Sequence, residues 1–262
     1  MKALHRVFWV AGLIISGSCK HTEPPADQSQ LPQFRVEVFS RELGECKERL
    51  GYCARFHVEY PVFESNLESV VCKTVNTAII NAIANQVTEK EVPDAVGPSL
   101  ENAAKHLFEL YYADNDKSAY YSAWEWTTSS EVLFLSREIL SLSIENNNYT
   151  GGAHPNMHAI FLNFDLSTGK KIRLKDVVKD MKALEKLARD AFYRAKGFSE
   201  EEVSVMVADR QINFAFPENF GITAEGLYFF YNTYEAGSYA EGPVDFVLSW
   251  KILEGIVKDI MH

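Results

Sequence analysis

The run Met157–Leu166, MHAIFLNFDL, alternates along its whole length. His158, Ile160, Leu162, Phe164 and Leu166 fall on one side, and Ala159, Phe161, Asn163 and Asp165 on the other. A period of two belongs to a β-strand with two different faces, so the chain must build a sheet around this segment. Its flanks sharpen the constraint. Gly151 and Gly152 precede it and open backbone conformations closed to other residues, and Pro155 fixes a further dihedral. Ser167-Thr168-Gly169 follows as a tight turn. The segment reads as a shaped loop, a strand and a turn.

The rest of the chain supplies partners for that strand. FRVEVFSREL and YCARFHVEYPVF alternate and read as a hairpin, with Pro61 ending or bulging its second strand. SNLESVVCKTVNTAIINAIANQVTEK reads as a helix. Ser65 and Glu68 form a capping box, and Leu67, Val70, Val71, Val75, Ala78, Ile79, Ala82 and Ile83 form one apolar face. LENAAKHLFELYYAD is a second helix capped by Ser99. Residues 118–150 are rich in aromatic and β-branched side chains and read as two strands and part of a third. KDVVKDMKALEKLARDAFYRAKG is one helix closed by Gly197, SEEEVSVMVADR a short one begun by Ser199, and WKILEGIVKDIMH a terminal one. Between the last two lie short strands. This order implies an α+β fold with antiparallel sheets packed by helices. We divide it into an N-terminal lobe at 34–117 and a C-terminal lobe at 118–262.

The N-terminus has the order of an export signal: Lys2 and Arg6, an apolar run from Phe8 to Ile15, then small residues up to Cys19. Residues 1–18 are expected to be the signal. Cys19 stands where a bacterial lipoprotein carries its lipid, although Ser16 replaces the usual leucine. Residues 19–33 are polar and proline-bearing, suited to a tether. Removing 1–18 takes away two positive charges and moves the formal charge from −10 to −12. Such a surface repels nucleic acid and attracts basic partners. Cys46, Cys53 and Cys72 allow one bridge. Cys46 and Cys53 flank KERLGY, so they are the expected pair, with Cys72–Cys53 as the other option.

Catalytic patterns are sparse. His154 and His158 are four apart, but on a strand that spacing separates them by about 13 Å, and the acid of a HExxH motif is missing. No metal or cofactor is expected. There is no GxSxG nucleophile elbow and no cysteine beside a plausible base. The balance is against an enzyme. The one weak catalytic candidate is His154, acting with an unidentified carboxylate in an envelope hydrolase.

YTGGAHPNMHAIFLNFDLSTGKKIRLKDVV resembles the signature of an exported bacterial family of unknown function. That family is shared by the outer part of RsiV, a lysozyme-sensing anti-sigma factor, and the non-catalytic region of PdaC-type peptidoglycan deacetylases. Tyr149, Gly151, Gly152, Ala153, His154, Asn163, Phe164, Asp165, Thr168, Gly169, Lys170, Leu174 and Asp176 carry the likeness. So do Tyr231, Tyr234, Glu235, Tyr239, Gly242 and Pro243 downstream. FHVEYPVFE resembles the companion N-terminal region. The resemblance implies a binding module in the cell envelope, facing lysozyme, another basic protein, or a peptidoglycan fragment. Tyr149, Gly151, Gly152, His154, Tyr231, Tyr234 and Tyr239 are the expected binding residues. A purely structural lipoprotein is the remaining alternative.

Overall fold

The computed structural model describes residues 30–46, 52–88, 99–115, 122–208, 214–217 and 219–260. The expected signal, Cys19 and most of the tether lie outside them. Leu31–His262 forms one compact unit. Its main sheet has six strands in sequence order: β1 (Gln33–Gly44), β2 (Cys53–Ser65), β3 (Trp124–Leu135), β4 (Ile139–Tyr149), β5 (Asn156–Asp165) and β6 (Lys170–Lys171). All neighbours are antiparallel except β2 and β3, which run parallel over Ala54–Val58 and Trp124–Thr128. The main sheet is therefore mixed, against the antiparallel pairing expected from the sequence. A parallel pair requires a crossover, and α1 (Ser69–Thr88) and α2 (Leu100–Asn115) provide it. The main sheet thus runs unbroken from one expected lobe into the other.

Both crossover helices lie on one face of the sheet. Val71, Val75, Ile79, Ile83 and Val87 recur every four residues along α1, and Ala103, Leu107 and Tyr111 line α2. They pack on Ala54, Phe56, Val58, Leu140, Leu142, Ile144, Leu162 and Phe164. The α1 stripe is narrower than its sequence suggests, since Val70 is 72% exposed. The helix begins at Ser69, after the expected capping box. Ser65 still belongs to β2, and its hydroxyl bonds Gln33 instead of capping. Ser99 does cap α2, accepting from the Asn102 amide at 3.3 Å. Strand β2 also passes through Pro61 without ending. Strand β3 leaves β2 after Val58, so position 61 has a sheet neighbour on one side only, where a missing N–H is tolerated. The bulge falls at Gln33/Phe34 instead.

The second face carries a smaller antiparallel sheet of β7 (Asn219–Ile222), β8 (Gly226–Tyr231) and β9 (Val244–Ser249). Behind it packs α4 (Met181–Ala195), whose Leu184 and Ala188 meet Leu227, Phe229 and Leu248. The helix expected from Lys175 is split into α3 (Leu174–Val177) and α4. Between them Val178 bridges Val257, the Lys179 and Asp180 amides donate to the Ile256 carbonyl, and the Asp180 carboxylate caps Lys182 and Ala183. Gly197 then closes α4 at φ 89°. After α4 comes α5 (Glu200–Ala208), where Ser199 accepts from the Glu202 amide. The terminal segment is not the expected helix. Residues 250–256 form successive turns broken by Gly255 at φ 78°, because the chain is drawn into the bridge with Val178.

Polar groups join the two sheets. Asn163 donates to the Phe220 carbonyl at 2.8 Å and accepts from the Ile222 amide, which also reaches Ser141 at 3.0 Å. Cys46 and Cys53 form the disulfide expected from their spacing, and Cys72 is a half-buried thiol whose pKa burial pushes up. A disulfide fits an exported protein. No described helix is long and apolar enough to cross a membrane.

Candidate functional site

The loop from β4 to β5 and the connection from β8 to β9 meet at one end of the main sheet. Gly151 and Gly152 sit at φ 90° and 93°, the left-handed side that side chains avoid. They turn the chain so that the Tyr149 hydroxyl donates to the Gly152 carbonyl at 3.1 Å. His154 follows, half-buried, with Nδ1 3.1 Å from the Pro155 carbonyl oxygen. A carbonyl can only accept, so Nδ1 is the donor in this bond. The same carbonyl accepts from the Tyr239 hydroxyl at 3.0 Å. One oxygen thereby ties the two loops together.

The rings reinforce that junction. His154 stacks on Tyr239 with centroids 3.7 Å apart and planes 22° apart. Tyr234 lies 5.9 Å beyond Tyr239 and is 65% exposed. His154, Tyr239 and Tyr234 form a continuous aromatic ledge. Tyr231 does not join them. It is 4% exposed, packs on Phe192 at 4.7 Å and donates to the Ala215 carbonyl at 2.8 Å. Burial and the Glu235 charge push its pKa well above the ordinary tyrosine value. As the last residue of β8 it points inward, a consequence of strand parity that a count of tyrosines cannot reveal.

Tyr234 has a backbone φ of 73°, a conformation rare for a bulky residue. It stands in a turn closed by Asn232 and Glu235: the Glu235 amide donates to the Asn232 carbonyl, and the Asn232 amide to the Glu235 carboxylate. Tyr239 begins a short 3-10 turn, Tyr239–Glu241. Glu241 reaches back to the Ser238 amide and hydroxyl and takes Lys196 Nζ at 3.0 Å, while that ammonium also donates to the Ala236 carbonyl. The Lys196 bond first, and the Ser238 amide next, hold the Glu241 carboxyl below its ordinary range. A lowered folded-state pKa stabilises the fold in full above that range, and the contribution is lost as pH falls through the lowered value. Glu241→Gln is expected to speed hydrogen exchange of the Gly242 amide several-fold at pH 7. Acidifying the unaltered chain below the glutamate range is expected to reproduce that change.

Beside the ledge, Met157, His158, Phe230, Asn232, Thr233 and Pro243 line a cavity of about 110 Å³. Small-molecule sites occupy roughly 300–1,000 Å³, so this dimple receives a side chain at most. The hydrolase reading needs a carboxylate bonded to His154, and there the Pro155 carbonyl and the Tyr239 ring take that place. No group of three or more histidines, cysteines or acids is arranged to hold a metal among the described residues. Sequence reasoning missed Met157, which is largely exposed next to the ledge, and Lys196, which steadies it from the C-terminal cap of α4. Met157 could have been found as the alternating run's apolar outlier at the loop end. Lys196 carries no local signal.

Residues 50–157 match the family "Deacetylase PdaC", and residues 173–251 match "Protein of unknown function (DUF3298)". No curated protein matches the chain. Among solved structures, a DUF3298 family member from Bacteroides fragilis is 21% identical with a TM-score of 0.59, covering 87% of this chain and 96% of its own. One from Pseudomonas aeruginosa is 15% identical with a TM-score of 0.60, covering 86% and 95%. At these identities the likeness concerns the fold. The PdaC match thus spans strands β2 to β4 and the crossover helices, and the DUF3298 match spans the small-sheet half.

Proposed function

We propose that this chain is an exported envelope module, lipid-anchored through Cys19, that binds a basic protein such as lysozyme through the ledge of His154, Tyr234 and Tyr239. The observation that carries the reading is Tyr234. A glycine would adopt its backbone without strain, yet the position holds a large ring, 65% exposed and in the left-handed region. Strain of this kind costs on the order of 1–3 kcal/mol and persists where it has a use. Exposed tyrosines supply contact area at low entropic cost. The net charge of −10 would steer a cationic partner toward the chain.

The test is capture of lysozyme by the purified chain at low and at high salt. Binding at low salt that weakens with salt supports the reading, and no retention at either overturns it. Tyr234→Gly is expected to leave stability within about 0.5 kcal/mol, since relieved strain offsets the added chain entropy. The same change is expected to weaken binding by about 30-fold, as loss of a central aromatic contact of roughly 2 kcal/mol does. A peptidoglycan fragment is the second reading, favoured by the neighbouring Tyr234 and Tyr239 rings, on which sugar rings can pack. Binding of a neutral fragment would be insensitive to salt.

A further inference from the structure

Strand β5 joins two different ends of the molecule. The ledge lies before Asn156, and the turn Leu166–Gly169 lies after Asp165, about 30 Å away along an extended strand. At that far end the turn packs against α1 and leaves a groove of about 460 Å³. Lys73, Thr74 and Thr77 form its helical wall, Lys170 and Lys171 its opposite wall, and Phe164 its floor. No carboxylate is among the lining residues. This stands out in a chain of net charge −10.

The groove is built by local geometry. Gly169 has φ 72°, and a Cβ there would meet Thr74 Cβ at 3.3 Å and the Val71 backbone at 3.6 Å. A side chain there would strain the positive φ and press on Thr74. Asp165 is the register partner of Lys170. Its carboxylate is already committed, accepting from the Ser167 amide at 2.8 Å, the Ser167 hydroxyl at 2.6 Å and the Thr168 amide at 3.3 Å. Burial pulls its pKa up, but the Ser167 and Thr168 bonds outweigh burial and leave it lowered, so it stays charged and occupied. Among the described residues, none of the three lysines is in an ion pair. The Thr74 hydroxyl donates to the Val70 carbonyl, whereas the half-buried Thr77 hydroxyl has no hydrogen-bond partner among the described residues.

We infer that this groove is an anion site for a phosphate ester, seated between Lys73 and Lys171 with the Thr77 hydroxyl as a neutral donor. Lys171 shares the face of its register partner Phe164, the groove floor, and stands across the groove from Lys73. Ammonium groups act as point charges toward phosphate, and a lining with lysines and no carboxylate favours an oxyanion over a zwitterion. The phosphate could be carried by a small soluble ester or by a lipid headgroup, which share this chemistry. The site is separate from the ledge and does not depend on what the ledge binds.

The experiment titrates the full chain with glycerol phosphate and, separately, with phosphatidylglycerol vesicles against phosphatidylcholine vesicles. Binding to glycerol phosphate is read from the amide shifts of Thr74, Thr77, Gly169 and Lys170. Lys73→Glu with Lys171→Glu is compared with Lys182→Glu with Lys251→Glu, which changes the net charge equally elsewhere. Saturable shifts confined to the groove, weakened at least tenfold by the first pair and less than twofold by the second, support a soluble ester. Dependence on the first pair seen only with anionic vesicles supports a headgroup. Thr77→Val, neutral and nearly isosteric, weakens either interaction two- to threefold. The inference is overturned if neither probe binds, if both lysine pairs weaken binding equally, or if Thr77→Val leaves it unchanged.

Discussion

Replacing Phe56 with alanine is expected to lower the unfolding free energy by about 3–5 kcal/mol. Phe56 is fully buried on β2, faces Trp126 across the parallel pair, and has Phe39 at 6.0 Å on β1. The Ala54–Val58 and Trp124–Thr128 pairing is where the segments before and after the crossover become one sheet. A cavity opened there weakens the whole unit, so the loss appears in a single transition. Urea unfolding followed by tryptophan fluorescence and by far-ultraviolet circular dichroism tests this, with hydrogen exchange at Val75 and Leu248 reporting the two faces. Coincident curves shifted together are expected. If Leu248 keeps its protection while Val75 loses it, the two lobes unfold independently and the single-sheet account fails.

Asn219→Ala is expected to cost about 3 kcal/mol, a large effect for one neutral polar side chain. Asn219 and Asn232, both buried, clasp the backbone edge of β5 that β6 leaves uncovered. Asn219 accepts from the Phe161 amide at 3.1 Å and donates to the Ala159 carbonyl at 3.0 Å. Asn232 accepts from the Ala159 amide at 2.7 Å and donates to the same carbonyl at 2.9 Å. Losing Asn219 orphans the Phe161 amide, while the Ala159 carbonyl keeps one donor. The double change Asn219→Ala with Asn232→Ala removes both donors, so its cost should exceed the sum of the single costs. Additive losses in a double-mutant cycle would show that the shared carbonyl does not couple them.

Much of this was legible locally. The strand at Met157–Leu166, the turn after it, the positive φ at the glycine pair and the Cys46–Cys53 bridge follow from residue type and spacing, because each rests on contacts within a few residues. The limits of local reasoning show at three places. The helix expected from Lys175 is interrupted by a bridge to residue 257, and the terminal helix is unwound by the same bridge. Tyr231 is turned inward by the parity of β8, although its neighbours in the motif, Tyr234 and Tyr239, reach the surface.

Sequence alone determined that this chain makes strands with a shaped loop before β5, because periodicity and glycine stereochemistry act over a few bonds. Only the tertiary structure decided that both faces of β5 are covered toward its C-terminal end, with Leu162, Asn163 and Phe164 all buried. Only there do His154 and Tyr239, 85 positions apart in sequence, share one carbonyl and stack. Such contacts depend on which sheet face is packed, and that choice is settled by burial summed over the whole chain.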